Sequence, residues 1–285
     1  FGNGWAFYGE RETLKDKDYD ELAAEAEAVA AQRTIRVNPT LVIGATSVFG
    51  EWITLEAMKK DIPLRILASD FDKAEFVFGT DGANADIYFG DTSNTDQLEN
   101  AIEGAVSIIY AEEGTLPFGP SSFQSKHQDG LKQVLQVAKN HPSIRRVILV
   151  TPNSGGPLSG MAAPFKQTAE ELVRGSGLPY VVLRPGKLSE QPGGEKGIDV
   201  EASAAGEEAT GSITPVDFGQ VAVAVLVMDE VAAKAEKRAA ETGEAVANLP
   251  RVKAAMTLAV RNSEAAAAGD QFPSIVKAIA TQPQD

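Results

Sequence analysis

The segment TLVIGATSVFG, residues 40–50, constrains the fold more than any other part of the sequence. A short apolar run leads directly into a glycine-containing turn, and a helical pattern follows. Gly44, Ser47 and Gly50 occupy the three positions of a G-x-x-G-x-x-G turn, which in dinucleotide-binding proteins holds a pyrophosphate at a helix N-terminus. The segment therefore predicts the first strand and phosphate-binding turn of a Rossmann-type fold.

The sequence after this turn alternates short β-rich apolar runs with amphipathic helical segments. Parallel strands need such crossover helices, and nearly continuous apolar runs are typical of strands buried on both faces. We predict an α/β fold, a doubly wound parallel sheet over residues 39–228. Within it, residues 186–211 lack a steady period and are interpreted as a loop or lid. Residues 229–285 are predicted to form an Ala-rich helical C-terminal region.

Residues 1–38 precede the first strand and are predicted to form an N-terminal extension. It combines an aromatic tip, Phe1 to Gly9, with a helical stretch from about Asp18 to Gln32. The tip suits a docking arm for another protein, although the stretch equally suits a surface helix on its own domain. Because the sequence begins with Phe1 rather than Met, we interpret it as a processed or truncated form.

Composition excludes several classes of function. The 26 basic and 40 acidic residues give a net charge of −14, which argues against nucleic acid or anionic lipid as a partner. The sequence has no cysteine and two histidines, His127 and His141, without metal-ligand spacing, so we predict no metal site. The longest apolar stretch, Val221 to Met228, is too short to span a bilayer. We expect a chain that is soluble or, at most, peripheral to a membrane complex.

The serine in the middle of the turn leaves two interpretations of the cofactor site open. The hydroxyl of Ser47 either donates a hydrogen bond to the pyrophosphate or crowds it, where glycine would let the backbone approach. Gly44, Thr46, Phe49 and Gly50 complete the candidate cofactor-binding residues of this turn. NAD or NADP is the cofactor such a turn implies.

Two acidic residues that follow predicted strands are further candidates for cofactor binding. Asp70, 20 residues after Gly50, would accept hydrogen bonds from the adenosine ribose and favour NAD, since a carboxylate repels a 2′-phosphate. It also suits the opening of an ordinary turn. Asp91 would reach the adenine amino group, or cap the helix that begins near Thr95.

Three segments together resemble a known family. These are GATSVFG, IYFGDTSNTDQLENAIEG and FKQTAEELVRGSGLPYVVLRPGKL. They resemble the NmrA-like group of atypical short-chain dehydrogenase/reductases, which includes plastid and cyanobacterial photosystem assembly factors. The resemblance covers Thr40 to about Met228 and implies a Rossmann-type NAD(P)-binding fold.

The resemblance also implies where catalytic residues would lie. In dehydrogenases of this superfamily a tyrosine transfers the substrate proton, and a lysine four residues later lowers its pKa and contacts the nicotinamide ribose. Lys166 matches the lysine, but the tyrosine position holds Ala162. A methyl group cannot perform acid–base chemistry, which typically contributes about 10² to 10⁴ in rate. Lys166 is therefore a candidate catalytic remnant, or a surface residue paired with Glu170 at i+4.

Other polar residues near strand ends have weaker assignments. Thr151 or Ser154, after the fifth strand, would have to replace the missing proton-transfer group. Tyr110 either lies near the nicotinamide or covers the sheet. We interpret Arg184 as a structural residue at a strand end, and His127 as structural or exposed.

Two functions remain open from the sequence. In the first, the chain is a catalytically degenerate NAD(P)-binding-fold protein that serves as a structural or assembly subunit of a plastid photosynthetic complex. It would lie in the stroma or at the stromal face of the thylakoid, with partner subunits bound through the Phe1 to Gly9 arm and the C-terminal region. In the second, the chain is an NAD(P)H-dependent reductase with a non-standard proton donor, and residues 186–211 close over a small substrate.

Overall fold

The structure, a computed structural model, describes residues 37–79, 85–112, 125–151, 159–204, 207–243, 246, 249–267 and 269–285. Side chains are described throughout these ranges except at residues 125–127 and 159–163. Residues 1–36 lie outside the described residues. The predicted N-terminal extension and its Phe1 to Gly9 docking arm therefore stay predictions.

The described residues contain ten strands and seven α-helices in an alternating order. The strands are β1 (Thr40–Ile43), β2 (Leu64–Ala68), β3 (Ala85–Phe89), β4 (Ser107–Tyr110), β5 (Arg146–Val150), β6 (Tyr180–Pro185), β7 (Lys187–Leu188), β8 (Lys196–Ala202), β9 (Ser212–Ile213) and β10 (Ala255–Ala266). The helices are α1 (Val48–Lys59), α2 (Phe71–Phe78), α3 (Thr95–Ile102), α4 (Leu131–Ala138), α5 (Ser159–Arg174), α6 (Pro215–Thr242) and α7 (Phe272–Thr281). A single π turn, Ser125–Gly130, leads into α4.

Eight strands form one sheet in the order β3-β2-β1-β4-β5-β6-β10-β8. All neighbouring pairs are parallel except β10 and β8, so the predicted doubly wound parallel sheet is confirmed. The strand order reverses at β1, which pairs with β2 on one side and β4 on the other. In open α/β sheets, ligands bind in the crevice at the carboxyl ends of the strands at such a reversal.

Helices cover both faces of the sheet and bury two separate clusters of apolar side chains. One cluster takes its helical residues from α1, α2, α6 and α7, and the other from α3, α4 and α5. On the first face, α1 and α6 approach closely because Gly219 has no side chain: a Cβ there would lie 2.8 Å from the carbonyl oxygen of Trp52. This contact fixes α1, and with it the phosphate-binding turn, against the core.

The prediction of a helical region over residues 229–285 is wrong in its central part. Helix α6 continues to Thr242, but β10 then enters the sheet beside β6, and α7 follows. The sheet thus extends past residue 228, where the predicted domain ended. Alanine is a strong helix former, but tertiary packing overrides helix propensity, and pairing with β6 buries Met256, Leu258 and Val260 completely in the core.

The prediction of a loop or lid over residues 186–211 is also wrong in part. This range contains β7, and β8 pairs antiparallel with β10. The segment before β8 is held by the buried carboxylate of Asp217, which accepts hydrogen bonds from Gly194 N (2.8 Å) and Asn262 Nδ2 (2.7 Å). The strand was missed because an edge strand half exposed to water does not need an apolar period.

Candidate functional site

The turn between β1 and α1 has a backbone that only glycine permits at two positions. Gly44 has φ +82°, and a Cβ there would lie 2.5 Å from the backbone of both Ala111 and Glu112. A Cβ on Gly50 would lie 2.0 Å from the carbonyl oxygen of Gly44. These contacts pack the end of β1 against the end of β4 and the first turn of α1. The result is the shape that a pyrophosphate-binding turn requires.

Ser47, at the middle position of the turn, is the N-cap of α1. Its backbone is extended (φ −76°, ψ 166°), a conformation open to any residue, and its Oγ accepts a hydrogen bond from Gly50 N at 3.1 Å. As an acceptor, the hydroxyl keeps its own hydrogen for another partner. The geometry therefore fits the interpretation in which Ser47 donates to a phosphate.

The two other candidates in this turn differ in their orientation. Thr46 is half-buried, lines the cleft, and its carbonyl oxygen accepts a hydrogen bond from Lys73 Nζ at 3.1 Å. Phe49 instead lies in the core, where its ring meets Phe218 edge-on with centroids 4.8 Å apart. The Phe49 side chain thus packs α1 against α6, and a contact of this residue with the cofactor stays a prediction.

A cleft of about 300 Å³ lies at the strand-order reversal, beside the turn. It is lined by the turn residues, by the end of β2 with Asp70, and by two residues that the sequence analysis missed, Lys73 and Glu112. Lys73 reaches across the mouth from α2. Charge spacing alone gave no signal for either residue, because the cleft brings together segments far apart in sequence.

Asp70 lines the cleft and also caps a helix. Its Oδ1 accepts a hydrogen bond from Lys73 N at 3.0 Å, which makes it the N-cap of α2. The second carboxylate oxygen remains for a ribose hydroxyl, so the turn-opening and ribose-binding interpretations are compatible. Lys73 lines the same cleft and introduces a cation that the sequence pattern did not indicate.

Asp91 occupies a different position from the one expected of a helix cap. Its Oδ1 accepts a hydrogen bond from Ser93 N at 2.8 Å, within the turn that follows β3. The N-cap of α3 is Asn94, whose side chain accepts from Gln97 N at 3.2 Å. The prediction that Asp91 caps this helix is therefore wrong. Its contact with adenine stays a prediction.

Tyr110 is completely buried at the end of β4, in the cluster beneath α3, α4 and α5. Burial, together with the nearby negative charges of Glu112 and Asp91, raises its pKa well above the ordinary value of 10.0. The side chain thus covers the sheet, the second of its two interpretations. A group so enclosed and so firmly protonated does not suit proton exchange with a substrate.

The candidate catalytic remnant Lys166 lies on α5, together with Ala162 at the tyrosine position and Glu170. Positions 162, 166 and 170 are four residues apart, which places them on one face of the helix. Glu170 is buried, and its carboxylate forms hydrogen-bonded ion pairs with Arg184 and Arg174. Glu170 thus has two arginine partners, which fits the structural interpretation of Arg184. The pairing of Lys166 with Glu170 stays a prediction.

Thr151 joins the same buried group. Its Oγ1 donates a hydrogen bond to Glu170 Oε1 at 3.1 Å, and only 5% of the residue is exposed. Arg184 closes the other side through Ser203 Oγ at 2.7 Å and the carbonyl oxygen of Ala204 at 2.6 Å. We call these residues, Thr151, Glu170, Arg184 and Ser203, the Glu170 network. The expectation that Thr151 supplies the proton-transfer group is therefore not supported by its position.

Several other candidates cannot be placed in the site. Ser154 lies outside the described residues, and the side chain of His127, in the π turn, is likewise outside them. Among the described residues, no group of three or more His, Asp or Glu side chains is arranged to hold a metal ion. Within the same ranges, no helix combines the length and apolarity needed to cross a bilayer.

Comparison with known proteins identifies the family. A family model described as NAD(P)H-binding matches residues 44–229, and the chain belongs to this family. The match begins at the first glycine of the phosphate-binding turn and ends within α6. The domain is thus an NAD(P)H-binding domain, in agreement with the resemblance to atypical short-chain dehydrogenase/reductases. A search of curated proteins gave no significant match.

Solved structures share the fold at low sequence identity. A putative NAD-dependent epimerase/dehydratase from Bacillus halodurans is 18% identical, with TM-score 0.62, over 84% of this chain and 99% of that one. A wide-type short-chain dehydrogenase/reductase from Veillonella parvula in complex with NADP is 13% identical, with TM-score 0.52, over 80% and 96%. The anaerobillin reductase ChuY from Escherichia coli O157:H7 is 20% identical, with TM-score 0.50, over 78% and 96%. At these identities the likeness concerns the fold.

Proposed function

We propose that this chain binds NAD(P)H without dehydrogenase-type proton transfer, and that it serves as a structural or assembly subunit of a protein complex. One observation carries the proposal. The position of the acid–base tyrosine is Ala162, and the candidate replacement Thr151 is buried with its hydroxyl bonded to Glu170.

A reduction by NAD(P)H needs both a hydride and a proton. The bound cofactor would supply a hydride, and a protein group or water must supply a proton. In the Glu170 network, Thr151 donates its hydrogen to the carboxylate, and both carboxylate oxygens accept from Arg184. These groups satisfy one another, so they orient the end of β6 rather than relay protons to a substrate.

The cofactor cleft supports the proposed binding of NAD(P)H. Gly44, Gly50 and the cap at Ser47 keep the shape and donors that a pyrophosphate needs. A ligand that binds only the folded state stabilises it by about 2.7 kcal/mol when present at about 100 times its Kd. NAD(P)H can therefore act on this chain as a structural ligand, with no reaction required.

The more specific part of the proposal concerns the complex. The sequence resemblance to photosystem assembly factors supports a plastid photosynthetic complex, with the chain in the stroma or at the stromal face of the thylakoid. The Phe1 to Gly9 arm is one proposed contact with partner subunits. The second proposed contact lies in the C-terminal region, at the largely exposed end of α6, residues 229–242.

Cofactor binding and turnover separate this proposal from the alternative, an NAD(P)H-dependent reductase. The purified full chain would be titrated with NADH and NADPH, with nicotinamide fluorescence as the signal. Cofactor consumption would then be followed with quinones, enones and aldehydes as acceptors. We expect saturable binding and no consumption above that of a Gly44→Val variant, in which the phosphate-binding turn is blocked. Consumption that this variant abolishes would establish the reductase instead.

The subunit role has its own test. Native gels and size-exclusion chromatography of an extract from the source organism, probed with an antibody, would show the mass at which the chain migrates. We expect it in a complex larger than the 30.1 kDa chain. Migration as a free monomer in every fraction would refute the role in an assembly.

A further inference from the structure

Strand β3 ends the sheet, and its outer side has no partner strand among the described residues. The inner side pairs with β2, and Gly90 N, directly after β3, continues this pairing by donating to Ala68 O at 3.0 Å. Backbone groups of successive residues in a strand point to opposite sides, so those of Ala85, Ile87 and Phe89 face outward. We call this row of outward N–H and C=O groups the β3 edge. Such a row is a template for pairing with another chain.

The opposite edge of the same sheet is closed by a side chain. The amide of Gln282, directly after α7, donates from Nε2 to Val200 O at 3.0 Å and accepts from Ala202 N at 2.9 Å. These two bonds occupy backbone groups of β8, as a neighbouring strand would. Within the part of the chain that the structure describes, no residue forms such bonds with the β3 edge. The fold therefore covers one end of the sheet and leaves the other available.

Side chains along β3 alternate between two different surfaces. Ala85 and Ile87 pack against the first apolar cluster, and Phe89 follows on the same side with 64% of its surface exposed. Tyr88 packs against the second cluster, and the same alternation puts Asp86 on that side. A strand added at this edge would therefore set its side chains alternately beside an apolar row and beside a row that carries a carboxylate.

The surroundings of the β3 edge are strongly acidic. Residues 70–79 and 85–103, which comprise α2, β3 and α3, carry eight carboxylates and one lysine, so that −7 of the chain's net charge of −14 lies here. The lysine, Lys73, points from α2 toward the turn after β1, where it bonds to Thr46 O. Glu75 lies about 200° further around the helix, on the flank toward β3. The local field thus attracts a cationic partner.

We propose that the β3 edge binds an extended segment of a partner protein in which apolar residues alternate with lysine or arginine. The segment would add a strand to the sheet, with main-chain hydrogen bonds to the outward groups of β3. Its apolar side chains would lie beside Ile87 and Phe89, and its cations beside Asp86. The inference rests on the proposed role in a protein complex, and it specifies the chemistry of one partner.

Charge favours such a segment over a second copy of this chain. Two β3 edges paired with each other would bring a local charge of −7 against an equal one, and like charges opposed across strands are destabilising. A basic segment instead gains from the same carboxylates. Because these lie at the surface, we expect its binding to weaken as the salt concentration rises.

The test uses the full chain and labelled peptides of about eight residues, a usual strand length, that alternate valine and lysine. Fluorescence anisotropy would measure binding. We expect saturable binding, at least about tenfold tighter than that of the same peptide with glutamate in place of lysine. Two further peptides carry N-methyl groups on the valine amides or on the lysine amides, and both keep the charge. A pairing strand turns only alternate amides to its neighbour, so one of the two should lose at least about tenfold in affinity and the other should not.

Variants of the chain locate the binding site. Asp86→Lys/Glu75→Lys should weaken the lysine peptide at least about tenfold, because it places cations where the peptide brings its own. Glu190→Lys/Glu208→Lys makes the same change in net charge at exposed positions beside the separate β7-β9 pair, and should weaken it less than about threefold. NADH affinity and the unfolding midpoint would report that each variant is folded.

Three results would overturn the inference. Equal binding of the two N-methylated peptides would show that charge alone attracts the peptide. Insensitivity to Asp86→Lys/Glu75→Lys would place the peptide elsewhere. Sedimentation showing a dimer that the peptide dissociates would mean that a second copy occupies the edge. If the peptide fails to bind while the chain still migrates in a large complex, this inference alone is refuted and the proposed function stands.

Discussion

Arg184 and Glu170 form a two-pronged ion pair in the interior, with Arg184 Nε 2.8 Å from Glu170 Oε1 and Nη2 bonded to Oε2. About 5% of each side chain is exposed. The pair joins the end of β6 to α5, the helix that also carries Ala162 and Lys166. It therefore sets the position of the helix face from which a catalytic tyrosine would act.

Removing the charge of Glu170 should destabilise the protein strongly. Glu170→Gln leaves Arg184 buried without its counterion, a change that typically costs about 3–5 kcal/mol. Urea denaturation would measure the free energy of unfolding. Glu171→Gln, at the exposed neighbouring residue, is the matched control and should change stability by less than about 0.5 kcal/mol. Equal effects of the two substitutions would show that the buried pair contributes little.

Gly44→Ala should abolish tight cofactor binding and lower stability. The new Cβ would lie 2.5 Å from the backbone of Ala111, and the backbone has positive φ. Gly104→Ala is the control, because φ is +71° there and nothing lies within 4 Å of the added Cβ. Both variants bear the backbone strain, of about 1–3 kcal/mol. Only Gly44→Ala should also weaken NAD(P)H binding, by more than about tenfold, in a fluorescence titration.

Substitutions of Ser47 separate its two roles. Ser47→Ala removes the cap of α1 and should lower the free energy of unfolding by about 1 kcal/mol, whereas Ser47→Gly should cost a few tenths. Both remove the hydroxyl donor, so both should weaken cofactor binding several-fold. The extended backbone of Ser47 needs no glycine. Tighter binding by Ser47→Gly would mean that the side chain crowds the pyrophosphate.

Asp70→Ser should shift the preference of the site toward NADPH. The substitution removes the carboxylate that repels a 2′-phosphate and leaves Lys73, which lines the same cleft, to attract it. We expect the ratio of NADPH to NADH affinity to rise at least about tenfold in paired titrations. Asp72→Ser, at the next acidic residue and outside the cleft lining, should leave the ratio nearly unchanged. A similar shift in both variants would indicate general charge rather than contact.

Tyr110 should make the protein sensitive to alkaline pH. Its pKa is raised in the folded state by burial and by the charges of Glu112 and Asp91. The unfolded chain therefore loses this proton first, and the stability contribution, complete below about pH 10, falls as the pH rises further. Tyr110→Phe should flatten this fall in the free energy of unfolding. Tyr88→Phe, on the half-buried edge strand β3, should retain it; identical curves for both variants would contradict the assignment.

Local patterns were sufficient to predict the central sheet and the phosphate-binding turn. The apolar runs of β1, β4 and β5 and the spacing of Gly44 and Gly50 depend on residues close together in sequence. Such patterns could not predict β8 and β10. These strands form because each pairs with a segment distant in sequence, β10 with β6 and β8 with β10. Their alanine and glutamate content does not favour strands locally.

Some features of the candidate site were likewise predictable from the sequence, and others depend on the tertiary structure. The sequence by itself determined that a dinucleotide turn is present, that its middle residue is serine and that the tyrosine position is Ala162. Only the tertiary structure decided that Ser47 caps α1, that Lys73 reaches the cleft and that Thr151 donates to Glu170. Each of these contacts joins groups whose distance is set by how helices pack on the sheet. Burial then decides which polar groups must satisfy one another and which remain for a ligand.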